Sequence, residues 1–236
     1  MDPYRITALI LAGGAGTRLR AALPEGLPKV LAPVAGRPFI ALVLERLAAA
    51  GICRAFICTG FGADAVENSL GNGFGPMSLD YSREPSPLGT AGALRAALDL
   101  AEGDILLAVN GDTLVDADLG AFIRWFESTG ASAGLLLVPA LDSDNCGRVE
   151  TDREGQVTAF SEKPETGQGG DSWASAGAYL FRRDFLLEIP SGRPVSLERE
   201  TLPQAVGKGF YGFRTEGRFW DIGTPETYSL AKERFS

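Results

Sequence analysis

The sequence predicts an α/β protein, Rossmann-like and doubly wound around a mainly parallel sheet, with a small β-rich insertion in its second half. Strand-like apolar runs alternate with amphipathic helical segments down to about residue 140, the pattern of right-handed βαβ units. The first run, Ile6 to Ala12, is continuously apolar, as a strand buried on both faces of a parallel sheet requires. Beyond residue 140 the pattern changes to a hairpin and isolated strands. The expected organisation is one domain, 1–236, with a first part (1–140) and a second part (141–236) that ends in a helix.

Each element has its own signal. Thr17 to Pro38 holds four prolines and reads as extended loop. Phe39 to Ala50 reads as a helix: Ile40, Val43, Leu44 and Leu47 share one face and Gly51 ends it. Arg54 to Gly60 is a second buried strand, Asp64 to Leu70 a short helix and Met77 to Ser82 a third strand. Thr90 is placed to cap a helix running to Ala101, with Leu94, Leu98 and Ala101 inward. Asp104 to Asp112 is an apolar strand ending in polar residues, Asp118 to Ser128 a helix, and Ala131 to Pro139 a strand. Gly147 to Thr151 and Gly155 to Phe160 flank Asp152-Arg-Glu154 as a hairpin. Thr166 to Asp171 reads as a mobile polar loop, Ser175 to Phe181 as a strand, Leu197 to Val206 as a helix, and Phe210 to Phe213 as a strand. Pro225 to Phe235 closes the chain as a helix with Thr224 as N-cap.

Composition excludes several kinds of chemistry. The 236 residues include no histidine, which removes histidine-based triads and leaves carboxylates, lysine and arginine. Three scattered cysteines (Cys53, Cys58, Cys146) suit free thiols better than a disulfide framework or a zinc site. A net charge of −8 without a basic run argues against nucleic-acid binding. Met1-Asp-Pro-Tyr-Arg lacks the basic-then-apolar pattern of a secretory signal and no apolar run is long enough to span a bilayer. The expected location is therefore cytoplasmic. The apolar faces and the C-terminal helix are compatible with a homodimer without requiring one.

Candidate chemistry begins where the first strand ends. Gly13-Gly-Ala-Gly16 lets backbone N–H groups converge on an anion, and Arg18 adds a permanent cation, so the loop predicts a phosphate site. A tight strand-to-helix turn is the plain alternative. Lys29 reads as a phosphate-binding point charge or as a solvated lysine. Asp112, in Asn110-Gly-Asp112 at a strand's carboxyl end, is either a turn cap or a Mg²⁺ ligand. Asp221, between apolar residues before a helix cap, needs a partner, either a metal or a structural hydrogen bond. Glu162 and Lys163 end the hairpin, where they suit sugar hydroxyls and a phosphate or a bare surface pair. A dinucleotide loop is disfavoured because Leu19 stands where a third glycine would be and Cys58-Thr-Gly60 lacks an acid. No Gly-Lys-Ser/Thr follows, so a Walker loop fails too.

Taken together, Leu11-Ala-Gly-Gly-Ala-Gly-Thr-Arg18, Pro28-Lys29, Pro87-Leu-Gly-Thr-Ala-Gly92, Asn110-Gly-Asp112, Glu162-Lys-Pro164 and Trp220-Asp-Ile-Gly-Thr-Pro225 resemble the sugar-1-phosphate nucleotidyltransferases. Within them the sequence is most similar to the D-glycero-α-D-manno-heptose 1-phosphate guanylyltransferases. The resemblance spans essentially the whole chain. It implies the nucleotide-diphospho-sugar transferase fold, a nucleoside triphosphate (GTP favoured) and a sugar 1-phosphate as partners, Mg²⁺ as cofactor, and a role in surface-polysaccharide precursor synthesis. Mannose 1-phosphate, or another sugar with UTP or dTTP, is the alternative substrate set, and a silent nucleotide-sugar sensor a further one. Carried over to this chain, nucleotide contacts fall on Leu11, Ala12, Gly13, Gly14, Gly16, Thr17, Arg18, Lys29, Gly89, Thr90, Asn110 and Gly111. Catalytic roles fall on Arg18, Lys29 and Asp112, metal binding on Asp112 and Asp221, and sugar-phosphate contacts on Gly147, Glu162, Lys163 and Gly177. Two departures stand out: Val30 follows Lys29 where proline is common, and Cys146 precedes Gly147 where tyrosine is common.

Overall fold

The computed structural model describes residues 6–140, 147–162 and 173–235. β1 (Ile6–Leu11) leads into the glycine loop, and a small hairpin follows, β2 (Pro33–Val34) and β3 (Arg37–Pro38). Single 3₁₀ turns at Arg20–Ala22 and Lys29–Leu31 fit between the prolines that forbid a longer helix here. Helix α1 (Phe39–Ala49) then leads to β4 (Arg54–Thr59), α2 (Ala63–Leu70), β5 (Gly73–Phe74) and β6 (Met77–Arg83). Next come α3 (Gly89–Leu98), β7 (Ile105–Asn110), β8 (Thr113–Val115), α4 (Leu119–Thr129) and β9 (Ala133–Pro139). The hairpin β10 (Arg148–Thr151) and β11 (Val157–Ser161) precedes the long β12 (Trp173–Arg182) and α5 (Arg183–Leu187). The chain ends with α6 (Leu202–Ala205), β13 (Phe210–Arg214), β14 (Phe219–Asp221) and α7 (Pro225–Phe235).

From one edge the main sheet runs β5-β6-β4-β1-β7-β12-β9-β13, and β10 and β11 extend from the first part of β12. β6, β4, β1 and β7 are parallel, as the alternation requires. β12 enters antiparallel between β7 and β9, so the second part of the chain supplies an inner strand of the same sheet. Strand alternation divides the core into two layers. Ile6, Ala8 and Ile10 join Phe39, Leu44, Phe122 and Phe126 of α1 and α4 on one face. Leu9, Phe56 and Leu106 join Leu94 and Leu98 of α3 and Leu186 of α5 on the other. This is the doubly wound arrangement.

Two local readings change. The predicted helix 197–206 is a five-residue π turn, Leu197–Thr201, followed by the single turn of α6, because Pro203 and Gly207 leave no room for more. Thr90 does not cap α3. Leu88 holds the N-cap position without a side-chain bond, and the Thr90 hydroxyl turns toward the π turn. α3 also stops at Leu98 rather than Ala101. Asp118 does cap α4, accepting from the Ala121 N–H at 2.8 Å, and Thr224 caps α7 through the Thr227 N–H at 3.3 Å. The polar stretch 166–171 lies outside the described residues.

Gly89 has φ +68°, and a Cβ there would sit 2.5 Å from the Val195 carbonyl oxygen. Gly89→Ala is expected to cost about 2 kcal/mol or more, a fall in Tm of about 4–8 °C by differential scanning calorimetry. Gly14→Ala, whose Cβ meets nothing within 4 Å, should melt with the wild type.

Candidate active site

The glycine loop sits where four parallel strands end. Leu11 pairs in register with Cys58 of β4 and Asn110 of β7, so the tips of these strands lie side by side. The Ala12 N–H donates to the Cys58 carbonyl and the Gly111 N–H to the Leu11 carbonyl, both at 2.9 Å. Glycine is required at these junctions. A Cβ on Gly111 would stand 2.9 Å from the Leu11 carbonyl oxygen, and one on Gly60 3.0 Å from that of Gly13. Gly16, with φ +58°, lies against the stem of Lys29.

A cavity of about 680 Å³ opens beside this loop. Leu11, Ala12, Gly13, Gly14, Gly89 and Thr90 line it. So does Glu84, a carboxylate that sequence reasoning missed. Glu84 Oε2 accepts from the Leu88 N–H at 2.8 Å, and Oε1 lies against Gly13, 2.8 Å from where a Cβ would stand. Burial lifts the Glu84 carboxyl above the ordinary carboxylate value, and the Leu88 hydrogen bond offsets part of that rise.

A second chamber of about 210 Å³ adjoins the first, and Lys29, Asn110, Asp112 and Glu198 line both. The Lys29 ammonium is ion-paired with Asp112 on this shared wall, with side chains only 16% and 22% exposed. Arg18 and Asp221 face the smaller chamber. Asp221 reaches Asp112 through a pairing absent from the sequence reading: β14 runs antiparallel to β8 with Asp221 opposite Thr113. The Ile222 N–H then donates to the Asp112 carbonyl at 3.1 Å. Asp221 Oδ1 is held by the Gly223 N–H at 2.6 Å and the Thr227 hydroxyl at 3.0 Å. Helix α7 is braced in turn by the Tyr228 hydroxyl, which donates to the Pro33 carbonyl at 2.7 Å.

Gly147, Glu162 and Gly177 line the smaller chamber with Phe160. Gly177, at φ +68°, lies in a bulge of β12; a Cβ there would stand 2.6 Å from the Asn110 amide nitrogen. Glu162 is bound by Arg199 through two donors, one of them at 3.1 Å, so the hairpin end is tied to the π turn at the mouth of the cleft. Gly16 and Thr17 in the glycine loop, and Gly111 in the turn between β7 and β8, line neither chamber. Lys163 and Cys146 lie outside the described residues. Glu84, Glu198 and Arg199 are additions. Their only sequence signal was charge, which is too common to single out.

Residues 7–235 match the family described as Nucleotidyl transferase. The chain belongs to this family. Among nucleotidyl transferases, it is 37% identical to the mannose-1-phosphate guanylyltransferase of Mycobacterium tuberculosis, over 97% of this chain and 64% of that protein. It therefore spans about two-thirds of that relative's length. It is 35% identical to the D-glycero-alpha-D-manno-heptose 1-phosphate guanylyltransferase of Aneurinibacillus thermoaerophilus, over 96% of each chain. The crystal structure of HddC from Yersinia pseudotuberculosis complexed with GMP-PN matches with a TM-score of 0.81 and 29% identity, covering 98% of this chain and 99% of that one. The doubly wound fold is thus the fold of nucleotidyl transferases.

Beneath the cleft, Cys58 is fully buried, and burial first, then the Glu84 charge, pushes its thiol up to about 12. In the native protein at pH 8, Cys58 should resist alkylation by iodoacetamide while denaturation exposes it, as peptide mass spectrometry would read.

Proposed function

We propose that the protein transfers a guanylyl group from GTP to a sugar 1-phosphate, releasing pyrophosphate. D-glycero-α-D-manno-heptose 1-phosphate is the favoured acceptor, on the likeness to the Aneurinibacillus enzyme along the length of both chains. Mannose 1-phosphate is the second reading, from the Mycobacterium relative. The product would feed surface-polysaccharide assembly from the cytoplasm. Among the described residues no helix is long and apolar enough to cross a membrane. The observation that carries the proposal is the pair of chambers meeting at Lys29 and Asp112, one beside a glycine loop and one beside a carboxylate-bearing hairpin. Residues of one chain line both chambers.

The base would lie by Glu84 and Gly89, the triphosphate along Gly13 to Arg18, and the sugar phosphate near Gly147, Glu162, Gly177 and Lys163. A carboxylate accepts hydrogen bonds only, and guanine presents adjacent N1–H and N2–H donors on its Watson–Crick edge. Glu84, positioned through Leu88 and poorly hydrated, suits that edge. An oxygen of the sugar phosphate then attacks the α-phosphorus in line. A new P–O bond forms as the bond to the β-phosphate breaks and pyrophosphate leaves. The attacking monoester has a second pKa of about 6, so it is largely ionised at neutral pH and no general base is required. Arg18 and Lys29 hold and neutralise the phosphates, and positioning supplies the rest.

Asp112 and Asp221 fit a magnesium ion. They are hard oxygen donors on one chamber, and the hydrogen bonds of Asp221 go to Oδ1 alone. Mg²⁺ typically takes one or two carboxylates and completes its shell with phosphate and water oxygens. When bound, the ion would offset charge developing on the leaving pyrophosphate.

Asp112→Ala and Asp221→Ala should each lower kcat by about 10²-fold or more with modest change in GTP affinity, measured by pyrophosphate release in saturating Mg²⁺. Near-normal turnover of Asp112→Ala would overturn the assignment. Glu84→Gln should narrow the preference for GTP over inosine triphosphate, which lacks the N2 amine, by about tenfold in kcat/KM.

A further inference from the structure

The segment before the π turn is laced onto the start of α3. The Ala91 and Gly92 N–H groups donate to the Val195 carbonyl at 3.0 and 3.3 Å, and the Val195 N–H donates to the Leu88 carbonyl at 2.8 Å. This close approach is what the glycines of Leu88-Gly-Thr-Ala-Gly92 serve. A Cβ on Gly92 would stand 3.0 Å from the Arg193 carbonyl oxygen, and Gly89 meets Val195 as described above. The Thr90 hydroxyl is then used up within the protein. It accepts from the Leu197 N–H at 2.7 Å and donates its proton to Glu198 Oε2 at 2.8 Å.

The turn that carries Glu198 is itself held open. Ser196 accepts from the Arg199 N–H at 3.2 Å, its own N–H donates to Glu200 Oε1 at 2.8 Å, and the Thr201 N–H returns to the Ser196 carbonyl at 3.2 Å. The extra residue of a π turn, a device frequent at functional sites, delivers Glu198 to the wall between the two chambers. Its Oε2 is bonded to Thr90 and Ser196, and among the described residues its Oε1 has no hydrogen-bond partner, while the Arg199 guanidinium, which feels the Glu198 charge, is spent on Glu162. Glu198 belongs to no metal-ligating cluster among those residues. An acceptor-only group repels phosphate oxygens, and neutral hydroxyl donors are partners that suit it.

We propose that Glu198, positioned by Thr90, accepts hydrogen bonds from a vicinal diol of a bound substrate at the junction of the chambers. The diol is either the ribose of the nucleotide or the ring hydroxyls of the sugar phosphate. This rests on the guanylyltransferase reading. Glu198 would touch substrate, and Thr90 is a positioning residue that acts through it.

The test is calorimetric binding to the full chain in Mg²⁺, with wild type, Glu198→Gln, Thr90→Val and Thr90→Ser. The ligands are GTP and mannose 1-phosphate, with the 2′-deoxy and 3′-deoxy forms of GTP and the 2-deoxy and 3-deoxy forms of the sugar phosphate. Glu198→Gln should weaken one parent ligand about tenfold, while the analogue lacking the hydroxyl it reads binds wild type and variant alike. Loss confined to the GTP series identifies the ribose, and loss confined to the sugar series identifies the sugar. Thr90→Val should reproduce the pattern and Thr90→Ser should restore it, an effect that general loosening of the fold would not select. Equal losses across parent and deoxy ligands, unchanged binding in Glu198→Gln, or no binding to wild type would each overturn the proposal. Wild type that binds both ligands without releasing pyrophosphate would instead overturn the catalytic reading and leave this pairing standing.

Discussion

The short antiparallel pairing of β8 with β14 is the constraint on which the site depends. Each strand has three residues, too little for independent stability, yet their register sets Asp221 opposite Thr113 and bonds Ile222 to the Asp112 carbonyl. Stability comes from what they are attached to. β8 continues from the inner strand β7, whose end is fixed to β1 through Gly111, and β14 leads into α7, which holds Asp221 through Thr227 and reaches back to Pro33 through Tyr228. Two carboxylates far apart in sequence thereby share one chamber.

The electrostatics are local rather than global. A chain of net charge −8 repels polyanions at long range, so any attraction must arise within the cleft. Lys29 and Arg18 provide fixed cations, and loop glycines let backbone amides approach closely. Before substrate arrives, the Lys29–Asp112 pair balances both groups on a wall of low exposure. The carboxylates of Glu84 and Glu198 stand apart from this set. Each is anchored through one oxygen by protein donors, Glu84 by Leu88 and Glu198 by Thr90. On the guanylyl-transfer proposal, the site would separate groups that neutralise phosphate from groups that recognise bases and hydroxyls.

Much of this was legible in the sequence because it follows local rules. A continuous apolar run announces an inner parallel strand, and Asp118 and Thr224 announce helix starts through their own side chains. Glycines crowded after β1 announce a close approach. What escaped reading depends on distant partners. Nothing in Thr113 to Val115 says that Phe219 to Asp221 will pair with it. Thr90 looked like a cap because capping is the usual use of threonine at a helix start, and tertiary bonding to Glu198 and Leu197 won instead. Glu198 was hidden because a charge in a charged segment is common, and its place at the cleft comes from a π turn and a bond to Thr90 that local patterning does not encode. β12 could be recognised as a strand, but its antiparallel entry between β7 and β9 is a matter of topology that local patterning does not encode.

The most direct test of the central claim is pyrophosphate release by the purified full chain in Mg²⁺, across the four ribonucleoside triphosphates and dTTP. Each is paired with the 1-phosphates of D-glycero-D-manno-heptose, mannose, glucose and N-acetylglucosamine. Release should be strongest with GTP and a manno-configured acceptor, and dependent on the presence of both substrates. Absence of release with every pair, or release with UTP or dTTP that exceeds release with GTP, would contradict the central claim.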